Sequence, residues 1–225
     1  MNFSLPKPDL VIFDCDGVLV DSEVLSCQCL SETLGEIGVE VSIEQVHRLF
    51  LGRSTAAVTE YCADRGCPVP ETFLPELRSR VRESFKRSLK PIPGIGALLP
   101  SLEAPCCVAS SSELDRVVLS LALTGLAQHF GDRLYTAQMV ARGKPAPDLF
   151  LHAAAQMEVA PARTLVIEDS VSGVTAAKAA GMTVWGFVGG SHYVSRDGRA
   201  MLKDAGADRV FDRMADFWKD EEHLS

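Results

Sequence analysis

The sequence predicts an α/β fold: a doubly wound parallel sheet with an all-helical unit inserted after its first strand. Three observations point to it. Short apolar runs, nearly continuous rather than alternating, recur along the chain, as strands covered on both faces require. The runs alternate with helical patterns, the rhythm of a parallel sheet. One long interval after the first run has no convincing strand and reads as helices alone.

In order, the strands are DLVIFD (9–14), CCVAS (106–110), RLYTA (133–137), TLVIE (164–168), TVWGF (183–187) and DRVF (208–211). Between them, helices read at 112–123, 147–157, 170–180 and 195–205. Pro147 fits the first turn of its helix, where a missing N–H costs nothing. Gly181 follows SVSGVTAAKAA, where a left-handed cap is expected. The interval from 21 to 90 reads as helices at 22–37, 43–50, 54–65 and 71–89. In the last of these, Val81, Phe85 and Leu89 recur at helical spacing, and the Arg/Lys series from Arg78 to Lys90 reads as a solvated face. PIPG at 91–94 breaks the helix and marks the return. The organisation is therefore a core of residues 1–20 plus 91–225 and a helical unit of residues 21–90.

Composition narrows the function. The 225 residues are 47% apolar and 23% charged, ordinary for a globular protein. A net charge of −8 argues against binding a nucleic-acid backbone, which needs a positive face. No uncharged apolar run approaches the ~18 residues of a membrane helix, and MNFSLPKPD lacks the basic and apolar regions of a signal peptide. The seven cysteines form no C-x-x-C pair and the five histidines are scattered, which is neither a disulfide framework nor a zinc site. Reduced thiols in a cytoplasmic protein are expected, with a monomer as the default for this size.

In open parallel sheets, ligands bind beyond the carboxyl ends of the strands. Strand one ends in Asp14, with Asp16 two residues on; CCVAS ends in Ser110, followed by Ser111 and Ser112. Lys144 stands in RGKPAP before a helix, and TLVIE ends in Glu168 and Asp169. Each has a bland alternative. The acids and serines suit turns and helix caps, the lysine suits solvent, and Cys15 suits inert packing. Jointly those alternatives weaken, because four segments deliver these groups to one edge. Asp14, Asp169 and Glu168 converging need a counter-charge, and hard oxygen ligands suit Mg²⁺. With Lys144 and Ser110 beside it, such a pocket neutralises a phosphoryl group. Asp14 can then attack phosphorus, while Asp16 can protonate the departing oxygen and later take a proton from water.

With these residues in hand, the chain resembles the haloacid dehalogenase superfamily, in the subgroup with a helical cap after the first strand. The motifs are DCDGVLVDSE (14–23), VASSS (108–112), GKPAPDLF (143–150) and LVIEDSVSGVTAAKAAGM (165–182). The resemblance covers essentially the whole chain and implies a Rossmann-like core. It makes Asp14 the nucleophile and Asp16 the general acid/base. It gives the phosphoryl oxygens to Ser110 and Lys144, and Mg²⁺ to Asp14, Asp169 and the Asp16 carbonyl, with Glu168 flanking. Gly17 and Ser111 join the substrate contacts, as do Arg53 and Ser54 of the cap loop LGRST (51–55), although Arg53 equally suits a helix-end cap. The D-S-E at 21–23 lies at the hinge of the cap.

The resemblance implies a Mg²⁺-dependent phosphatase of small phosphorylated metabolites: sugar, polyol or sugar-acid phosphates. Asp16 argues for ester hydrolysis, since phosphate-transferring pumps of the superfamily carry threonine there and dehalogenases lack the second acid. The alternative is a β-phosphoglucomutase-like isomerase, opposed by three positions. Ser26 stands for a histidine, Leu51 for a lysine, and Glu113 for a lysine beside a second phosphate. A non-enzymatic phosphoaspartate signalling module is the third reading, opposed by an acid pair on strand one and a long insertion after it.

Overall fold

A computed structural model describes residues 7–50, 55–194 and 197–219. The six apolar runs are the six strands: β1 (Leu10–Phe13), β2 (Cys106–Ser110), β3 (Leu134–Thr136), β4 (Thr164–Glu168), β5 (Thr183–Phe187) and β6 (Arg209–Phe211). All pair in parallel, in the order β3-β2-β1-β4-β5-β6. The order reverses at β1, so the crevice of a doubly wound sheet lies at the carboxyl ends of β1 and its neighbours β2 and β4. Register places Val11 beside Cys106 on one side and Leu165 on the other.

Between β1 and β2 run α1 (Glu23–Glu36), α2 (Ile43–Phe50), α3 (Thr55–Ala63), α4 (Phe73–Ser88) and the short α5 (Ile95–Leu98). The chain leaves and returns through paired segments: the Ile92 N–H donates to the Leu19 carbonyl, and the Asp21 N–H to that of Lys90. Then follow α6 (Leu114–Leu123), α7 (Asp148–Gln156), α8 (Val171–Ala179) and α9 (Gly198–Asp204).

Alternation along β1 sends Val11 and Phe13 to one face of the sheet and Leu10 and Ile12 to the other. The first face packs with Val117 and Leu121 of α6 and with Phe130 and Phe217. The second packs with Leu149 and Phe150 of α7, Val174 of α8 and Leu202 of α9. The helices α1–α4 bury clusters of their own, one including Leu34, Val46, Phe50 and Phe73, another Cys29, Val81 and Phe85. Each strand thus contributes to a core on both faces, which explains the continuous apolar runs.

Helix ends differ from the sequence expectation by up to three residues. Pro147 is the cap before α7 rather than part of its first turn. The helix expected from 112 starts at Leu114, because the Ser112 hydroxyl is engaged on Asp16. Gly181 adopts the left-handed backbone expected of it, with φ of 74°. None of the seven cysteines forms a disulfide, and Cys15 is buried in the core. No described helix is long and apolar enough to cross a membrane.

Candidate active site

Parallel pairing brings the carboxyl ends of β1 and β4 to one edge, and with them Asp14, Glu168 and Asp169. Each offers a carboxylate oxygen within 4.8 Å of the others, and all three are buried. Lys144, from the loop before α7, donates to Asp14 at 2.8 Å, Glu168 at 2.6 Å and the Ala109 carbonyl at 2.9 Å. The second Glu168 oxygen accepts from the N–H and hydroxyl of Ser170 at 3.0 and 2.9 Å. At Gly173, in the first turn of α8, an added Cβ would fall 1.8 Å from Glu168 Oε1, so the helix start closes tightly over this carboxylate.

Lys144 therefore pairs with two of the three buried acids, while the third, Asp169, has His192 Nε2 at 3.3 Å from its Oδ2. Burial, opposed by the Lys144 charge and reinforced by Glu168 and Asp16, pushes the Asp14 carboxyl up to about 7. Burial and the Asp14 charge push Asp169 well above the usual range. Lys144 goes the other way: burial alone would lower it, but Asp14 and Glu168 raise it. Such a donor set, all oxygen and short of positive charge, fits a hard divalent cation such as Mg²⁺.

Asp16, two residues on, meets different company. Its carboxylate accepts from the hydroxyls of Ser22 and Ser112, both at 2.6 Å, and from Arg116 Nη2 at 2.7 Å. Burial opposes its charge, but Arg116 and the two hydroxyls outweigh burial and hold the carboxyl below its usual value. Gly17 follows with φ of 79°, and a Cβ there would lie 1.8 Å from Asp169 Oδ2. Only glycine lets the loop turn this close to that carboxylate.

A family model described as haloacid dehalogenase-like hydrolase matches residues 11–187, most of the chain. The chain belongs to this family. It is similar to the 6-phosphogluconate phosphatase of Escherichia coli (strain K12), 32% identical over 84% of this chain and 86% of that protein. It is 31% identical to the fructose-1-phosphate phosphatase of the same organism, over 76% of this chain and 92% of that one. Among solved structures, a haloacid dehalogenase-like protein of unknown function from Agrobacterium tumefaciens superposes with a TM-score of 0.82. That protein is 39% identical, with 93% of this chain and 95% of that chain covered.

In this haloacid dehalogenase-like hydrolase, the two aspartates open onto a cavity of about 1090 Å³. Asp14, Asp16, Ser110, Ser111, Lys144 and Asp169 line it from the sheet edge, and Phe50, Val58, Leu77, Val81 and Phe85 from the helices after β1. The Ser110 hydroxyl accepts from the Ser112 N–H at 3.1 Å. Arg53 and Ser54, like Leu51, lie outside the described residues. Glu113 is not a bare acid, since it forms an ion pair with Arg78 of α4. Asp21, at the hinge, accepts from the N–H and hydroxyl of Ser191.

Sequence reasoning missed two residues on this wall. Arg116 reaches Asp16 from α6 across the sheet edge, and nothing local marks it out from other helix arginines. Glu23 was assigned to the hinge only. Burial, then the Asp16 charge, pushes its carboxyl up to about 8. No local signal marks Glu23, since an acid in the first turn of a helix is ordinary.

Proposed function

We propose that this hydrolase is a Mg²⁺-dependent phosphatase that cleaves small phosphomonoesters, with sugar, polyol and sugar-acid phosphates as the substrate class. The observation that carries the reading is the buried group of Asp14, Glu168 and Asp169, two of them hydrogen-bonded to Lys144. Relatives whose names specify phosphosugar and phosphosugar-acid hydrolysis support it. Asp14 and Asp169 would hold the cation with the Asp16 carbonyl, and Glu168 beside them. When bound, it supplies charge neutralisation for the phosphoryl oxygens.

The chain's own residues carry the steps. Lys144 and the Ser110 hydroxyl bind the phosphoryl oxygens. An Asp14 oxygen attacks phosphorus in line, and the ester oxygen departs with a proton from Asp16. Asp16, now a carboxylate, takes a proton from water, whose oxygen attacks phosphorus and frees Asp14 and inorganic phosphate. Positioning and charge compensation dominate such a transfer. Residues 21–90 act as a cap whose closure excludes bulk water. The Asp21–Ser191 contact bears on the hinge of that closure. The protein works as a cytoplasmic monomer on a small phosphorylated metabolite, in keeping with its free thiols.

A screen of phosphorylated metabolites with Mg²⁺ and with EDTA tests the reading. Metal-dependent phosphate release from several sugar or polyol phosphates is expected. A flat screen with folded, metal-loaded protein rejects it, and conversion of glucose 1-phosphate to glucose 6-phosphate without free phosphate establishes the isomerase instead.

A further inference from the structure

Arg116 is held on several sides, yet one of its buried donors goes unused. Its Nη2 serves Asp16 at 2.7 Å and the Ser26 hydroxyl at 3.1 Å. Its guanidinium carbon lies over the Phe85 ring, 4.9 Å from the centroid. These contacts come from the loop after β1, from α1 and from α4, so the guanidinium is fixed where the sheet edge meets the inserted helices. Its Nε–H, however, is buried and has no hydrogen-bond partner among the described residues. Buried donors in native proteins are nearly always paired. Arg116 also lines the cavity, in company with Asp16, Glu23 and Ser26.

Among the described residues no partner serves it, and an acceptor entering from the cavity that Arg116 lines reaches it by a small shift of the groups that now shield it. Within one guanidinium, Nε is a near neighbour of Nη2, which is bound to Asp16. Asp16 is the group that meets the ester oxygen in the phosphatase reading, on which this inference rests. An acceptor on Nε therefore stands close to that ester oxygen in the leaving group.

We propose that Arg116 Nε–H binds an oxygen of the leaving group, a hydroxyl or carboxylate close to the ester oxygen. The enzyme then selects phosphate esters of polyhydroxy or hydroxy-acid compounds over simple alkyl phosphates. A site with a charged buried donor penalises an analogue that lacks the acceptor, because the donor is left unpaired. Phe85 keeps the guanidinium from turning away, so the preference is built into the wall rather than acquired from solvent.

Two matched pairs of esters read this out: glycerol 1-phosphate against propyl phosphate, and phosphoglycolate against ethyl phosphate. The wild-type protein is expected to favour the oxygen-bearing member of at least one pair by about 10- to 100-fold in kcat/KM. Which pair shows it tells hydroxyl from carboxylate. Arg116→Lys and Arg116→Gln should both bring the ratio to within about twofold. Arg116→Lys should turn over propyl phosphate faster than Arg116→Gln, since an ammonium still faces Asp16. Arg116 matters to Asp16 as well, so the ratio and not the absolute rate is decisive. Equal wild-type rates on both members of both pairs overturn the proposal without any variant, and so does a preference that survives in folded Arg116→Lys. If p-nitrophenyl phosphate is also inert, the phosphatase reading itself has failed; if it is cleaved while the ratios stay flat, only the role of Arg116 has.

Discussion

Asp14 and Asp16 leave the same strand end, yet one faces carboxylates and the other faces donors. Asp14 shares Lys144 with Glu168 and stands within reach of Asp169, so its ionised form is disfavoured without further positive charge. Asp16 receives Ser22, Ser112 and Arg116, and its ionised form is favoured. The chemistry of a residue is thus set by what the fold aims at it. Two identical side chains two positions apart are pushed to opposite sides of the usual carboxylate range. Asp14 would therefore become a nucleophile only once a bound cation restores its charge, and Asp16 must take up a proton as the ester enters before it can serve as acid.

The largest effect should come from Asp14→Asn. Phosphate release from any ester is expected to fall by about 10⁴-fold or more, as for loss of a covalent nucleophile. Near-normal turnover, measured as released phosphate, would remove the proposed asymmetry. Asp16→Asn should cost about 10²–10⁴-fold on sugar phosphates, the range of a lost general acid. On p-nitrophenyl phosphate, whose leaving group needs no proton, the loss should be smaller. Equal losses on both substrates would deny Asp16 its part as acid.

The comparison also has a thermal signature. The Asp14 carboxyl, raised in the fold to about 7 from 3.8, favours folding below its ordinary pKa, and that contribution disappears as pH rises through about 7. The Asp16 carboxyl, lowered in the fold, contributes above its ordinary pKa and loses that contribution as pH falls through its lowered value. EDTA-treated protein should therefore melt lower near pH 8 than near pH 5. A fixed Mg²⁺ concentration, set at about 100 times the Kd at pH 8, should add about 2.7 kcal/mol there, roughly 5–10 °C for a chain of this size. The Mg²⁺ shift should be larger near pH 8, and equal shifts in thermal melts at the two pH values would contradict the raised Asp14 carboxyl. The smallest effect belongs to Gly17→Ala, which forces a side chain against Asp169 at a positive φ. A loss of about 1–3 kcal/mol is expected, read as a lowered Tm, and an unchanged Tm would mean the loop has room the structure does not show.

Most of the fold was legible because its signals are local. A strand such as TLVIE announces two-sided burial within five residues, and Gly181 announces the end of α8 by itself. Asp14, Asp169 and Lys144 were legible for a related reason, since each follows a strand or precedes a helix at the edge where ligands bind. Arg116 was not, because its meaning lies in partners 100 and 90 positions away. Ser112 looked like a helix cap because serine does that locally; only the tertiary approach of Asp16 redirects its hydroxyl. The unusual carboxyl of Glu23 was equally hidden, since burial beside Asp16 cannot be read from an acid in a first helical turn.

The helices between β1 and β2 bury Leu34, Val46, Phe50 and Phe73 among themselves, away from the sheet. Leu77 and Arg82 nevertheless face the shared hollow from α4. Mutational drift at such positions can remodel the ceiling over the bound molecule while the strands, and the acids they carry, stay in register. The two parts nevertheless meet at Arg116, which bonds both Asp16 and Ser26 of α1 and lies over Phe85 of α4, so a change there is felt on both sides.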